Sequence, residues 1–346
     1  MNDGIIITLA YPETIVSHAR EWYSKFMHYV FIGNRKYVRA GHAALVLIDT
    51  STGVLEYYDF GRYMAPSPNG RLRGRETDFE LRFPISAKIK DHRIENLDDI
   101  LKFLATHPKL THGKGNMYAS VCDVINYKKS RAYIKAVQNQ GFIRYAAFVK
   151  DACNCARFVT DVLITGVTSA SIRSKLIKSK GFTPSTIGNV VIADTASYVY
   201  VVSETGIISR FNSTVSKLNR QMFLDRLKGH NRDLTGNLEP AHNHVKGERA
   251  QWISGVGVGA WFEVYDLDSK TDYRFRRISP EGNVHCDGVY RLTSEGFDYN
   301  SNYEFSHDSN CKFFHINQNQ ITYRFEYLKD FMVIQTKAYK HLAKNY

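Results

Sequence analysis

The spacing of hydrophobic residues changes near residue 182, and this change constrains the fold more than any other feature of the chain. Before it, apolar residues recur at intervals of three and four and also in short continuous runs, so helices and strands are mixed. After it, and above all from Gln251 onward, the pattern is strand, turn, strand. The runs are WISGVGVGAWFEVYDL, YRFRRISP with a turn at Glu281 and Gly282, VHCDGVYRLTS, YEFSHDS, KFFHINQ and ITYRFEYL. The expectation is an α+β N-terminal domain over 1–182, a boundary at FTPSTIG, and a mostly antiparallel β domain over 183–346. A length of 346 residues also implies two domains.

Within the first part, GIIITLA reads as a buried strand. The segment from about Ile15 to Val30 carries Val16, Ala19, Trp22, Phe26 and Val30 at spacings of three and four, which predicts an amphipathic helix. GHAALVLIDTSTGVLEYYDFGRY holds two apolar runs around a turn at 49–53, a hairpin pattern. MAPSPNGRLRGRETD, rich in Pro, Gly and Arg, reads as a loop, and FELRFPI as a further strand. Helices are expected over Asn96 to Thr106, from Lys128 to Asn139, and from Cys155 to Gly166, where the glycine is a natural stop. Further along, VVIADTASYVYVVSETGIISRF predicts two strands joined at Glu204 to Gly206. Helices are expected from Ser216 to Lys228 and, closing the chain, from Leu328 to Leu342.

Composition narrows the class without naming a function. With 43% hydrophobic and 23% charged residues the chain is that of an ordinary globular protein. The first residues lack the pattern of a secretory leader, and no apolar run approaches the roughly 18 residues that would span a bilayer. A soluble, cytoplasmic protein with no membrane span is expected. Five cysteines at irregular spacing argue against a disulfide framework. The formal charge of +12 would favour an anionic glycan or polymer, but the positives are scattered in small groups such as Arg71, Arg73 and Arg75, or Arg274, Arg276 and Arg277. No nucleic-acid module accompanies them, so nucleic acid is disfavoured as a partner. His307, Cys311 and His315 lie four apart on strands and turns, where that spacing makes no helical ligand pair, so no metal is expected. GVGVGA is followed by a strand pattern, not the helix a dinucleotide site needs.

The residues that carry chemistry are DACNCARFVTDVLI, 151–164. Asn154 is a favoured helix N-cap, and Phe158, Val159, Val162 and Leu163 form the apolar stripe behind it, which sets Cys155 in the first turn. There the positive end of the helix stabilises a thiolate, and unpaired N–H groups can receive an oxyanion. Cys153, outside the helix, is less activated. His42, after Gly41 at the start of the strand AALVLI, is a base whose ordinary titration lies near neutrality. Across the hairpin Asp59 is the best group to orient the imidazole, with Tyr58 and Glu56 as alternatives because the register of the hairpin is open. Arg62, Arg71 and Arg73, together with Tyr58, would line the cleft and hold a carboxylate or phosphate of the substrate.

A Gly-His strand, a hairpin with a polar residue at its far end, and much later Asn154, Cys155, Ala156, Arg157, Phe158 and Val159 resemble the circularly permuted papain-like superfamily, which includes relatives of the NlpC peptidases and the lecithin retinol acyltransferase-like enzymes. The likeness covers residues 5–180, and the histidine preceding the cysteine is the mark of the permutation. It implies a permuted papain-like N-terminal domain, a thioester acyl-enzyme, no cofactor, and a peptide, amide or acyl substrate. The YYDFGRY and GRLRGR stretches also resemble, over the whole chain, a bacterial family of unassigned function. The reading is a cysteine hydrolase of the peptidase or amidase type with a β-rich accessory or substrate-recognition domain. The alternatives are acyl transfer at the same site, or an inactive scaffold that engages an anionic polymer.

Overall fold

The unbroken apolar run GIIITLAY becomes a strand buried along its whole length, which requires cover on both faces and a neighbour on each edge. The computed structural model, which describes residues 2–18, 21, 26–181, 183–228, 240 and 245–331, supplies both. Strands β1 (Gly4–Tyr11), β2 (His42–Asp49), β3 (Leu55–Gly61), β4 (Asn69–Gly74), β5 (Met117–Ile125), β6 (Ile143–Arg144), β7 (Tyr200–Val202) and β8 (Ile208–Arg210) form one sheet. Its order is β6-β4-β3-β2-β1-β5-β7-β8, with antiparallel neighbours along β4-β3-β2-β1-β5. β1 is therefore interior.

Side chains alternate across this sheet and feed two separate cores. On one face Leu45, Leu47, Tyr58 and Phe60 meet helices α2 (Tyr127–Asn139) and α3 (Cys155–Gly166) through Ile134, Val137, Phe158, Val159, Val162 and Leu163. On the other, Leu9, Val46, Ile48 and Tyr57 meet Ile100, Leu101 and Leu104 of the helix Leu97–Thr106. Each fully buried Val, Leu or Phe stabilises by about 1.5–3 kcal/mol, so the stripe on α3 is what fixes that helix, and with it Cys155, to the sheet.

The chain divides into two units, the first comprising Met1–Arg62, Pro68–Gly74 and Leu81–Thr235, the second Tyr63–Ser67, Arg75–Glu80 and Gly236–Tyr346. The second unit holds a seven-stranded antiparallel sheet from Gln251–Gly255 to Ile321–Asp330. Its aromatic residues pack on one another: Phe275 stacks on Phe314 at 4.6 Å between ring centroids and lies 4.8 Å from Phe325, with Tyr290 at 5.3 Å. Phe262, Phe275, Tyr290, Phe314 and Phe325 are all buried. They are core, not a binding surface. Arg277 is fully buried, with Nη1 3.1 Å from Asp78 Oδ1 and Nη2 bonded to Glu80. Arg274 pairs with Asp287 at 2.6 Å and Arg276 with Glu263 at 3.3 Å, so this basic group is neutralised within its own unit.

Several expectations are corrected. The stretch 15–30 is not a helix in its described residues: Val16–Ser17 is a short strand paired with Tyr37–Val38, and Met27–Val30 is a 3-10 turn. Ala19 and Trp22 lie outside the described residues. FELRFPI is not a strand but a 3-10 turn at Phe79–Leu81 that buries Leu81. The GRLRGR segment, expected as loop, is the strand β4, because the charged side chains that signalled solvent are buried instead. VVIA lies in the helix Thr186–Ala193, and the two strands that follow, β7 and β8, join the first sheet. Leu328 lies in the strand Ile321–Asp330, and residues 332–342 of the expected closing helix lie outside the described residues.

Arg277→Ala removes a fully buried cation that is bonded to both Asp78 and Glu80. Arg277→Ala is expected to lower stability by about 3–5 kcal/mol, measured as the shift of the urea unfolding midpoint of the β unit followed by aromatic fluorescence.

Candidate active site

Helix α3 begins where the sequence placed it, with Asn154 in extended conformation accepting from the N–H of Arg157 at 2.9 Å. The other end of the Asn154 amide donates to the Ala146 carbonyl at 3.2 Å. Cys155 is thus the first helical residue, where backbone N–H groups have no partner within the helix. Gly41 precedes the histidine strand with φ +74, and a Cβ there would come 3.0 Å from Pro12 Cα and 3.1 Å from the Tyr11 carbonyl oxygen. Only glycine makes that turn without strain, and it delivers His42 to the end of β2.

The pairing of β2 with β3 sets Ala44 opposite Asp59. His42 and Asp59 are then diagonal neighbours on one face, within reach of two polar side chains. His42 Nε2 lies 3.0 Å from Asp59 Oδ2. With Nε2 committed, Nδ1 is the nitrogen left for the hydrogen bond between the imidazole and the Cys155 thiol. The sulfur also receives the N–H groups of Ala43 and Ala156. Cys155 and His42 are each 7% exposed and Asp59 is fully buried. Tyr11 stacks on the imidazole at 6.3 Å with 24° between the planes.

Charge within this cluster is set by opposing effects. Burial pushes the Cys155 thiol up, but the hydrogen bond and positive charge of His42 and the two backbone N–H groups outweigh it and hold the thiol below its ordinary value. For His42 burial favours the neutral ring. The hydrogen bonds to Asp59 and Cys155 and the negative charge of both prevail, raising it to about 9. Asp59 is opposed by its own burial, yet the charge of Arg73 and the bond to His42 keep its carboxyl well below the usual range. Both shifts run in the direction of a thiolate beside an imidazolium. Cys153 contrasts: burial and the charge of Asp161 push it up to about 12. Burial does the same for Cys122, also to about 12.

The remaining sequence candidates fall in distinct places. Glu56 accepts from Tyr58 Oη at 2.8 Å and pairs with Arg131 at 3.2 Å, so both hairpin alternatives to Asp59 engage each other on the opposite face. Arg62 lies over the Tyr145 ring at 5.0 Å and donates to the Ser17 carbonyl at 2.8 Å. Arg71 is buried on β4 opposite Gly61. Arg73, expected to hold substrate, directs its guanidinium onto Asp59, with Nε 2.9 Å from Oδ1 and Nη2 2.7 Å from Oδ2. Sequence reasoning missed Tyr145. A bridge between Tyr145 and Cys153 lays the two segments side by side and brings the Tyr145 hydroxyl into hydrogen bond with Cys155. The only signal for it was an aromatic residue shortly before the Asn-Cys pair.

Among the described residues no group of three or more His, Cys, Asp or Glu is placed to hold a metal ion, and no helix is long and apolar enough to cross a membrane.

Residues 6–172 match the profile of the type VI secretion system effector TseH-like family, and residues 250–328 match that of the DUF6695 C-terminal domain. A search of the curated proteins finds no match. Among solved structures the chain is similar to a crystal structure of the type VI secretion system effector TseH, at 18% identity and a TM-score of 0.41, over 61% of this chain and 99% of that one.

Iodoacetamide at pH 7 is expected to alkylate Cys155 first, with Cys122 and Cys153 slower by about a hundredfold or more. As pH falls through the lowered Cys155 value the thiolate takes up its proton and the reaction stops. As pH rises through about 9 the imidazolium is lost. Peptide mapping by mass spectrometry across pH 5–10 reads both; equal labelling of all five cysteines would contradict the assignment.

Proposed function

We propose that the N-terminal unit is a cysteine hydrolase of the peptidase or amidase type, arranged as in the permuted papain-like enzymes. The observation that carries this reading is the continuous hydrogen-bonded row from Cys155 through His42 to Asp59, with the cysteine at a helix start. A thiolate, a protonated base and an orienting carboxylate are what acyl transfer through sulfur needs. The match of residues 6–172 to the type VI secretion system effector TseH-like family supports placing this hydrolase in an effector protein.

In the proposed reaction Cys155 Sγ attacks the carbonyl carbon of an amide and forms a C–S bond. The carbonyl oxygen takes the negative charge and is met by the Cys155 N–H at the helix start and by the Tyr145 hydroxyl. His42 gives its proton to the leaving nitrogen as the C–N bond breaks, leaving a thioester. Water then attacks the thioester while His42 takes its proton, the C–S bond breaks, and the carboxylic acid departs with the thiolate restored. In this reading Arg62, which stacks on the Tyr145 ring, is the candidate to hold an anionic group of the substrate. No step calls for a cofactor.

Exposure of the full chain to 4-nitrophenyl acetate is expected to leave one acetyl group on Cys155, seen by intact mass and peptide mapping, and none in Cys155→Ala. On a peptide or amide substrate found by library screening, Cys155→Ala and His42→Ala should each lower kcat by about 10⁴-fold or more, and Asp59→Asn by about 10²–10⁴-fold. Full activity in Cys155→Ala would overturn the proposal.

A further inference from the structure

We propose that Arg73 is a positioning residue of the same site, fixing the Asp59 carboxylate against His42 and so sustaining the charged Cys155 and His42 pair. This rests on the reading of Cys155, His42 and Asp59 given above.

Asp59 is fully buried, and a carboxylate withdrawn from water either finds a cation or takes up a proton. Arg73 meets both of its oxygens with two parallel N–H donors, Nε to Oδ1 at 2.9 Å and Nη2 to Oδ2 at 2.7 Å. This fork fixes the plane of the carboxylate as well as its charge. The two residues stand directly opposite each other where β3 pairs with β4, so the strand register itself aims one at the other. Arg73 is only 2% exposed, and its Nη2 also donates to the Leu110 carbonyl at 3.0 Å, which holds the guanidinium from behind. Asp59 Oδ2 then receives three donors: Arg73 Nη2, His42 Nε2 at 3.0 Å and the Tyr57 hydroxyl at 3.2 Å.

The result is a row of alternating charges, guanidinium, carboxylate, imidazolium and thiolate, in which each group is stabilised by its neighbour. The titratable groups around Asp59 include Arg73, His42, Tyr57 and Tyr11. Without the guanidinium, Asp59 would take up a proton in its buried setting, the imidazolium would lose its counter-charge, and the proton would return to sulfur. Arg73 therefore acts through Asp59, two groups removed from the sulfur. Lysine keeps the charge but not the fork, so it should restore the function in part.

The test is the pH dependence of Cys155 alkylation by iodoacetamide in the full chain, for the natural protein, Arg73→Gln and Arg73→Lys, each checked for folding by circular dichroism and thermal melting. In folded Arg73→Gln the inflection should move up by about one pH unit or more, which slows labelling about tenfold at pH values below the natural inflection. Arg73→Lys should fall between the two, and it carries the test alone if Arg73→Gln does not fold. Variants that melt earlier yet keep the natural pH profile overturn the inference and leave a purely structural arginine. A natural protein in which Cys155 titrates as an ordinary thiol would instead sink the reading of the site itself, a result distinct from failure of the Arg73 variants.

Discussion

The pairing of β2 with β3 is the constraint on which the site depends. Because Ala44 stands opposite Asp59, the carboxylate shares a face with His42. A slip of one residue would bring Tyr58 or Phe60 to that face and send Asp59 among the apolar side chains of α3. The register is held by bulk on both sides: Leu45 and Leu47 point toward α3, Val46 and Ile48 toward the other core. Neither set can be exchanged for the other without exposing one and burying polar groups in its place. The geometry of the site is thus a by-product of a two-sided core.

Much of this was legible in the residues, and where it was, a local rule sufficed. Asn154 before an apolar stripe announced both the cap and the first-turn cysteine, and both are present. The hairpin announced itself by its turn residues. What local rules could not supply was which of Glu56, Tyr58 and Asp59 meets the imidazole, because strand alternation is known only once both strands are counted from a common pair. The α+β and antiparallel β classes were legible from the period of the apolar residues, but the expected change at 182 falls inside the first unit, whose sheet takes in β7 and β8.

The failures share a cause, which is long-range pairing that overrides composition. Arg71 and Arg73 gave β4 the look of a solvent loop, yet the segment is a buried strand because Asp59 waits directly across from Arg73. Likewise Arg277 reads as a surface charge in YRFRRISP but is fully buried, answered by Asp78 from far earlier in the chain. Between Val16 and Val30 an apolar spacing of three and four suggested a helix. In its described part the backbone forms instead a strand pair and a 3-10 turn, and Phe26, Tyr29 and Val30 are each more than half exposed. Periodicity predicts a helix only when a partner surface exists for the stripe to cover.

That dependence on Asp78 reaches past folding into ancestry. The second unit is assembled from two short pieces ahead of residue 81 as well as from the C-terminal stretch. A recombination event that carried only the region matching DUF6695, residues 250–328, into another gene would bring Arg277 without the acids that answer it. Such a module would arrive with a buried cation and no anion. A β unit that keeps Arg277 therefore needs the short stretch around residues 75–80 beside the C-terminal strands.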